Sequence, residues 1–197
     1  MWSDTEVISS IDNITEEEGK FLVELAKTAI EYYLKTGKII TLKEFPYEIL
    51  KKKGATFVTL TKKRTGELRG CIGSIIPVRP LYEDVIHNAI AAATKDPRFF
   101  PVTLEELPEI DVKVSVLSYP ERIEYTDYID LLNKIEPFKD GLIIKFGNAQ
   151  ATFLPDVWEE LPDKEQFLSH LCLKAGLPSD FWKTGKLEVY RYRTKVF

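Results

Sequence analysis

The chain has 197 residues, 44% hydrophobic and 29% charged, and its 31 acidic residues outnumber Lys and Arg to leave a formal net charge of −4. That composition is ordinary for a globular protein, allows one large domain or two smaller lobes, and with eleven Phe and nine Tyr supplies a core that needs no disulfide or metal staple. The acidic balance argues against bulk nucleic-acid binding, which needs a basic excess; no apolar run approaches the roughly 18 residues of a membrane span; and two cysteines with no h-region at the start predict a cytoplasmic protein with reduced thiols.

A short acidic lead-in opens the chain. Thr15 followed three residues later by Glu18 is a capping-box pattern. Behind it Leu22, Leu25, Ala26, Ala29 and Tyr33 fall on one helical face, and Gly37 is placed to stop the helix. Pro46 and Gly54 bracket a looser stretch with room for a helical turn. Ala55 to Leu60 is β-rich, Lys62 to Gly66 is a polar turn, and Glu67 to Gly73 is a second strand, so the pair forms a hairpin with a long loop. Pro80 suits the first turn of a helix reaching Lys95, with Leu81, Val85, Ala89 and Ala92 inward, and Asp96-Pro97 ends it.

Ile110, Val112, Val114 and Val116 alternate with mostly polar neighbours, as in a half-buried strand. Thr126 is placed to cap a short helix over Asp127 to Lys134. Gly141 to Phe146 and Ala151 to Leu154 make a second hairpin through Gly147-Asn148-Ala149-Gln150. Asp163 caps a helix carrying Phe167, Leu168, Leu171, Cys172 and Ala175, stopped by Gly176 and Pro178. Leu187 to Val196 is a last strand. Helices and hairpins in this mixture predict an α+β protein, with mainly antiparallel sheets and helices packed on one face. The division falls near Tyr119-Pro120-Glu121: a larger lobe over residues 1–121 with the N-terminal helix and first hairpin, and a second α/β lobe over 122–197, whose last strand could return to the first.

The absences remove whole classes of chemistry. No phosphate-binding loop and no dinucleotide glycine pattern follows a strand. Two isolated cysteines make neither a zinc-finger spacing nor a redox pair. The acidic residues match no calcium loop. No tightly bound metal or nucleotide cofactor is expected.

Leu68-Arg69-Gly70-Cys71-Ile72-Gly73 is the most informative segment. On a strand, Arg69, Cys71 and Gly73 share one face and Leu68, Gly70 and Ile72 the other. Gly70 then marks a point where a ring or another backbone approaches closely. Arg69, two residues from Cys71, would favour the thiolate, and Gly73 would leave space beside the sulfur. Such a face suits a small anionic or carbonyl-bearing group, so Arg69, Gly70, Cys71 and Gly73 are candidate ligand-binding residues. Cys71 is also a candidate nucleophile, with His87 on the following helix as a candidate base. The competing readings are a buried packing cysteine and a solvated histidine. Cys172, on an apolar helix face, reads as core, and His170 as exposed.

In Lys95-Asp96-Pro97-Arg98-Phe99-Phe100-Pro101, Arg98 is presented on a turn. Either it pairs with a capping Asp96 or it meets a ligand; Phe99 and Phe100 would anchor the loop in the core. Arg191, Arg193 and Lys195 alternate with Tyr190, Tyr192 and Val196 on the last strand. The choice there is an edge strand with protective charges or a single-strand nucleic-acid surface.

The chain resembles the AMMECR domain family, named for a chromosomal region linked to Alport syndrome, intellectual disability, midface hypoplasia and elliptocytosis. The likeness is carried by Phe57-Val58-Thr59-Leu60, Gly66 through Gly73, Ala91 through Phe99 with Pro101-Val102, and Ser115-Val116-Leu117-Ser118. Leu154-Pro155 with Val157-Trp158, and Phe167-Leu168 with Leu171 to Pro178, complete it. The Asn148-Ala149-Gln150 turn is less basic than the family pattern. The resemblance implies a two-lobed cytoplasmic α/β protein of unsettled activity, with a catalytic or binding role suspected for the six-residue segment. It also implies association with Memo-like and radical-SAM proteins, hence a partner role in a modification pathway. Three expectations follow, in order: a binding or accessory module for a small anionic ligand, nucleotide or peptide beside Arg69, Cys71 and Arg98; a thiol enzyme using Cys71; and a nucleic-acid-associated protein using the last strand.

Overall fold

The computed structural model describes residues 6–197, so the first part of the acidic lead-in lies outside the described residues. Thr15 accepts a hydrogen bond from the Glu18 N–H while Glu18 accepts one from the Thr15 N–H, closing the expected capping box. The helix behind it, α1, spans Glu16–Thr36 and ends on Gly37 at φ 70°. A single turn of 3-10 helix, Glu48–Lys51, fills the stretch before the first hairpin.

The chain forms two compact units. Among the described residues, the first comprises 6–118 and 195–197. Its hairpin is β1 (Ala55–Lys62) and β2 (Leu68–Gly73), followed by α2 (Leu81–Thr94) and β3 (Ile110–Leu117). With β8 (Thr194–Val196) these strands make one sheet in the order β2-β1-β3-β8. Val114 and Phe197 exchange both backbone hydrogen bonds, the signature of an antiparallel pair. Val58, Leu60, Val112, Val114 and Val116 turn one face of the sheet towards the Leu22, Leu25, Ala26 and Ala29 stripe of α1 and the Leu81, Val85 and Ala89 stripe of α2. Alternation puts the apolar set on one side because β side chains repeat every two residues.

The second unit comprises residues 119–194. It contains β4 (Glu121–Arg122), α3 (Tyr128–Lys134), β5 (Gly141–Phe146), β6 (Ala149–Phe153), α4 (Lys164–Lys174) and β7 (Glu188–Tyr192). Its sheet runs β4-β7-β5-β6. Glu121 and Arg122 pair with β7 and so lie with this unit. Its core stacks Trp158 on Phe167 at 3.7 Å, beside Leu168, Leu171 and Cys172 of α4. The fold is thus α+β, with two antiparallel four-stranded sheets.

Several local readings change. The β5–β6 turn is the two residues Gly147-Asn148, with Gly147 at φ 57°, and β6 starts at Ala149. Asp127, not Thr126, caps α3, because its carboxylate reaches the Asp130 N–H. The expected last strand is two strands in different sheets, and β7 sits between β4 and β5, so it is not an edge strand. Arg191 and Arg193 have a local cause. Asp140 is fully buried and accepts from Arg193 Nε at 3.0 Å, with Arg191 Nη1 at 3.6 Å. Lys195, on β8, instead donates to the Asp12 and Ile14 carbonyls. The basic stripe is therefore broken up, with Arg191 on β7, Arg193 between the two strands and Lys195 on β8.

Candidate functional site

Edge strand β2 breaks its own alternation at Arg69. Leu60 pairs with Gly70 and Thr61 with Leu68, leaving Arg69 as the extra residue of a bulge. A bulge re-aims the side chain it carries. Arg69 turns to the 96–106 segment, where Nε donates to Glu106 Oε1 at 2.8 Å, Nη2 to Oε2 at 3.2 Å and Nη1 to the Phe100 carbonyl at 2.8 Å. The residue is 8% exposed. Arg69 is thus fixed by Glu106 rather than poised to polarise Cys71. Hydrogen bonding to that guanidinium holds the Glu106 carboxyl below its usual range.

Gly70 faces α2. A Cβ there would collide with the Ala92 carbonyl, so another backbone makes the close approach that the glycine suggests. Cys71, next along, points to the opposite face of the sheet, where Thr59 Oγ1 lies 3.3 Å from its sulfur. Gly73 does not leave open space beside that sulfur, because the Phe57 ring fills the position its side chain would take.

His87 is not brought to Cys71. Asp84, Asn88 and Ala92 carry the α2 face that meets the sheet, and His87 is offset from that face and exposed, on the other side of the sheet from the thiol. It lines a shallow cavity with Ile39 to Leu42 and Tyr82. Burial first, then the positive charge of Arg79, pushes its imidazole below the ordinary value.

The cation brought to Cys71 is Arg98. Asp96 is the hub: its carboxylate accepts the Cys71 N–H at 2.9 Å, the Arg98 N–H at 3.1 Å, and Arg98 Nε and Nη2 at 3.0 and 2.7 Å. Arg98 Nη2 also reaches the Cys71 carbonyl at 3.4 Å. The pair therefore occupies the backbone groups that an edge strand exposes at Cys71. The Asp96 side chain is 2% exposed and that of Arg98 is 55% exposed. The bidentate Arg98 guanidinium draws the Asp96 carboxyl down to about 2. Phe99 packs under both arginines, 6.0 Å from Arg69 Cζ and 5.4 Å from Arg98 Cζ, whereas Phe100 is 90% exposed and anchors nothing in the core.

A second buried network holds the chain just beyond β2. Asp84 accepts from the Thr56 N–H and hydroxyl at 2.7 Å each, from Ser74 Oγ at 2.9 Å and from Arg79 Nε at 2.8 Å. Asn88 donates to the Thr56 carbonyl at 3.0 Å. Asp84 and Asn88 interrupt an otherwise apolar helix face, and that interruption was the signal available in the sequence. Glu106 and Thr59 carried no comparable signal. Cys172 is fully buried and burial pushes its thiol up, while His170 is exposed. Among the described residues no cluster of three or more His, Cys, Asp or Glu is placed to hold a metal, and no helix is long and apolar enough to cross a membrane.

The AMMECR1 family model matches residues 23–197, including every residue of this site. The chain belongs to the AMMECR1 family. A protein from Thermofilum pendens is 44% identical over 193 residues, covering 93% of this chain and 91% of its own. Protein MJ0810 from Methanocaldococcus jannaschii is 46% identical over 185 residues, with the same coverage. The crystal structure of uncharacterized protein PH0010 from Pyrococcus horikoshii superposes with a TM-score of 0.87 at 43% identity, over 93% of this chain and 92% of that one. The AMMECR1 fold thus spans both units, and the Cys71 segment sits on the edge strand of the first.

Proposed function

We propose that this AMMECR1-family chain is a binding or accessory module that recognises a small anionic ligand, nucleotide or peptide at the face of β2 carrying Cys71. One observation carries the reading: Asp96 ties the Cys71 backbone to Arg98 and leaves that guanidinium half exposed in a fixed position. A cation held by a buried carboxylate has little orientational freedom left to lose when a ligand arrives. Arg69 supports this face by fixing the 96–106 segment, and Gly70 by seating β2 on α2.

The test is a titration of isotope-labelled protein with pyrophosphate, AMP and a short acidic peptide, followed by amide NMR. At least one probe should shift the Cys71 and Arg98 signals saturably at millimolar concentration or below. Arg98→Ala should weaken that binding at least several-fold, and Cys71→Ser should retain it. Absence of any saturable shift overturns the reading. A thiol-enzyme reading draws on the 3.3 Å contact between Thr59 Oγ1 and Cys71 Sγ. It requires alkylation of Cys71 by iodoacetamide at neutral pH well above the rate of a free cysteine.

A further inference from the structure

Three side chains of different chemistry stand in line across the first sheet. Cys71 of β2 pairs with Thr59 of β1, and Thr59 pairs with Lys113 of β3. Directly paired residues project to the same side of a sheet. Gly70 and Leu60 take the α2 side, so this row lies on the side turned away from the helices. Thr59 and Cys71 are half-buried and Lys113 is exposed.

The electrostatics single out Lys113. Arg69 is ion-paired with Glu106, and Arg98, although half exposed, already shares its charge with Asp96. The Lys113 ammonium makes no ion pair with any described residue. Asp111, two residues earlier on the same face, pairs across to Thr61, one row away. In the neighbouring row, Ser115 pairs with Phe57, and Phe57 with Gly73. The Phe57 ring lies against Gly73 and forms an apolar wall beside the polar row. Strands lie ~4.8 Å apart, so the backbones of Cys71 and Lys113 are roughly 10 Å apart, a gap that an extended lysine side chain is long enough to span in large part.

We propose that the row Cys71–Thr59–Lys113 is an oxyanion subsite that takes a carboxylate or phosphate group. Lys113 supplies the charge, the Thr59 hydroxyl donates a hydrogen bond, and the body of the ligand rests on the Phe57 ring. The group is thereby held beside the Cys71 sulfur. This rests on the reading of the β2 face as a binding surface and names the chemistry it accepts.

Alkylation of Cys71 by iodoacetate and by iodoacetamide, located by mass spectrometry, tests it. Both reagents form an S–CH2 bond with loss of iodide, and only the first carries a carboxylate. Cys172 is fully buried and does not compete. Lys113→Met should lower the iodoacetate-to-iodoacetamide rate ratio about threefold, the Coulomb effect of one charge on the reagent carboxylate at ~7 Å in a water-like medium, while any change in the thiolate fraction acts on both reagents alike. Lys113→Glu should lower it further. Inorganic phosphate should protect Cys71 in the parent and not in Lys113→Met. An iodoacetate-to-iodoacetamide ratio equal in all three proteins overturns the subsite. So does phosphate protection that survives Lys113→Met, or a folded protein whose Cys71 reacts with neither reagent. A ratio that follows Arg98→Ala and ignores Lys113→Met overturns the subsite while leaving the wider reading of the β2 face intact.

Discussion

The Asp96 carboxylate accepts the backbone N–H of Cys71 at 2.9 Å across 25 positions of sequence. The same carboxylate holds Arg98, so one buried group sets the position of both the thiol-bearing backbone and its neighbouring cation. The edge of β2 is thereby closed by side chains instead of by another strand.

Asp96→Asn should lower stability at neutral pH by about 2 kcal/mol, since a carboxyl drawn from its usual value near 4 down to about 2 contributes roughly that much. The folded value lies below the unfolded one, so the stabilisation is complete above about pH 4 and is lost as pH falls towards 2. Urea unfolding of parent and variant across that range checks it: the gap should narrow on acidification. A gap independent of pH would show that the charge is not what matters.

Gly70→Ala and Gly73→Ala should differ. The added methyl at Gly70 meets the Ala92 backbone carbonyl within α2, which cannot yield without moving the helix. At Gly73 it meets the Phe57 ring on the outer face. A cost of about 3 kcal/mol is expected for the first and roughly 1–2 kcal/mol for the second, where only a side chain must rearrange. Denaturant midpoints of the two variants decide the order.

Arg69→Met should cost roughly 2–3 kcal/mol, somewhat less than breaking a fully buried pair, because Glu106 is partly exposed. Glu106→Gln should cost less, and the double variant less than the sum, as expected for a directly coupled pair. Additive losses in a double-mutant cycle would place the role of Arg69 elsewhere.

Phe138→Gly should stabilise the protein by about 0.5–1 kcal/mol. Phe138 sits at φ 67°, a left-handed conformation that costs an ordinary residue about 1–2 kcal/mol, and its side chain is 59% exposed. The flexibility glycine adds to the unfolded chain offsets part of the gain. A lower melting temperature for the variant would mean that the ring makes contacts worth more than the strain.

Local chemistry was enough to place most elements. The Thr15–Glu18 box, the Gly37 stop, the alternation of Ile110 to Val116 and the Asp163 cap are encoded within a few residues, because capping and periodicity are short-range effects. The same holds for Gly70, whose lack of a side chain marked a close approach by a ring or another backbone, and the structure supplies the Ala92 carbonyl. Family membership, too, was legible in the order of short motifs along the chain.

Alternation alone could not show that a bulge at Arg69 turns its guanidinium to Glu106, since a bulge depends on how β1 and β2 register against each other. Nor could it place Asp96 against the Cys71 backbone, fill the space at Gly73 with Phe57, or separate His87 from Cys71 by a sheet. The charges of Arg191 and Arg193 looked like a surface and are answered by buried Asp140. Each of these outcomes joins residues far apart in sequence, and a buried charge finds its partner only when packing excludes water from both. The residue types around Cys71 could be read from the sequence, but only the tertiary structure decided which of them face the thiol.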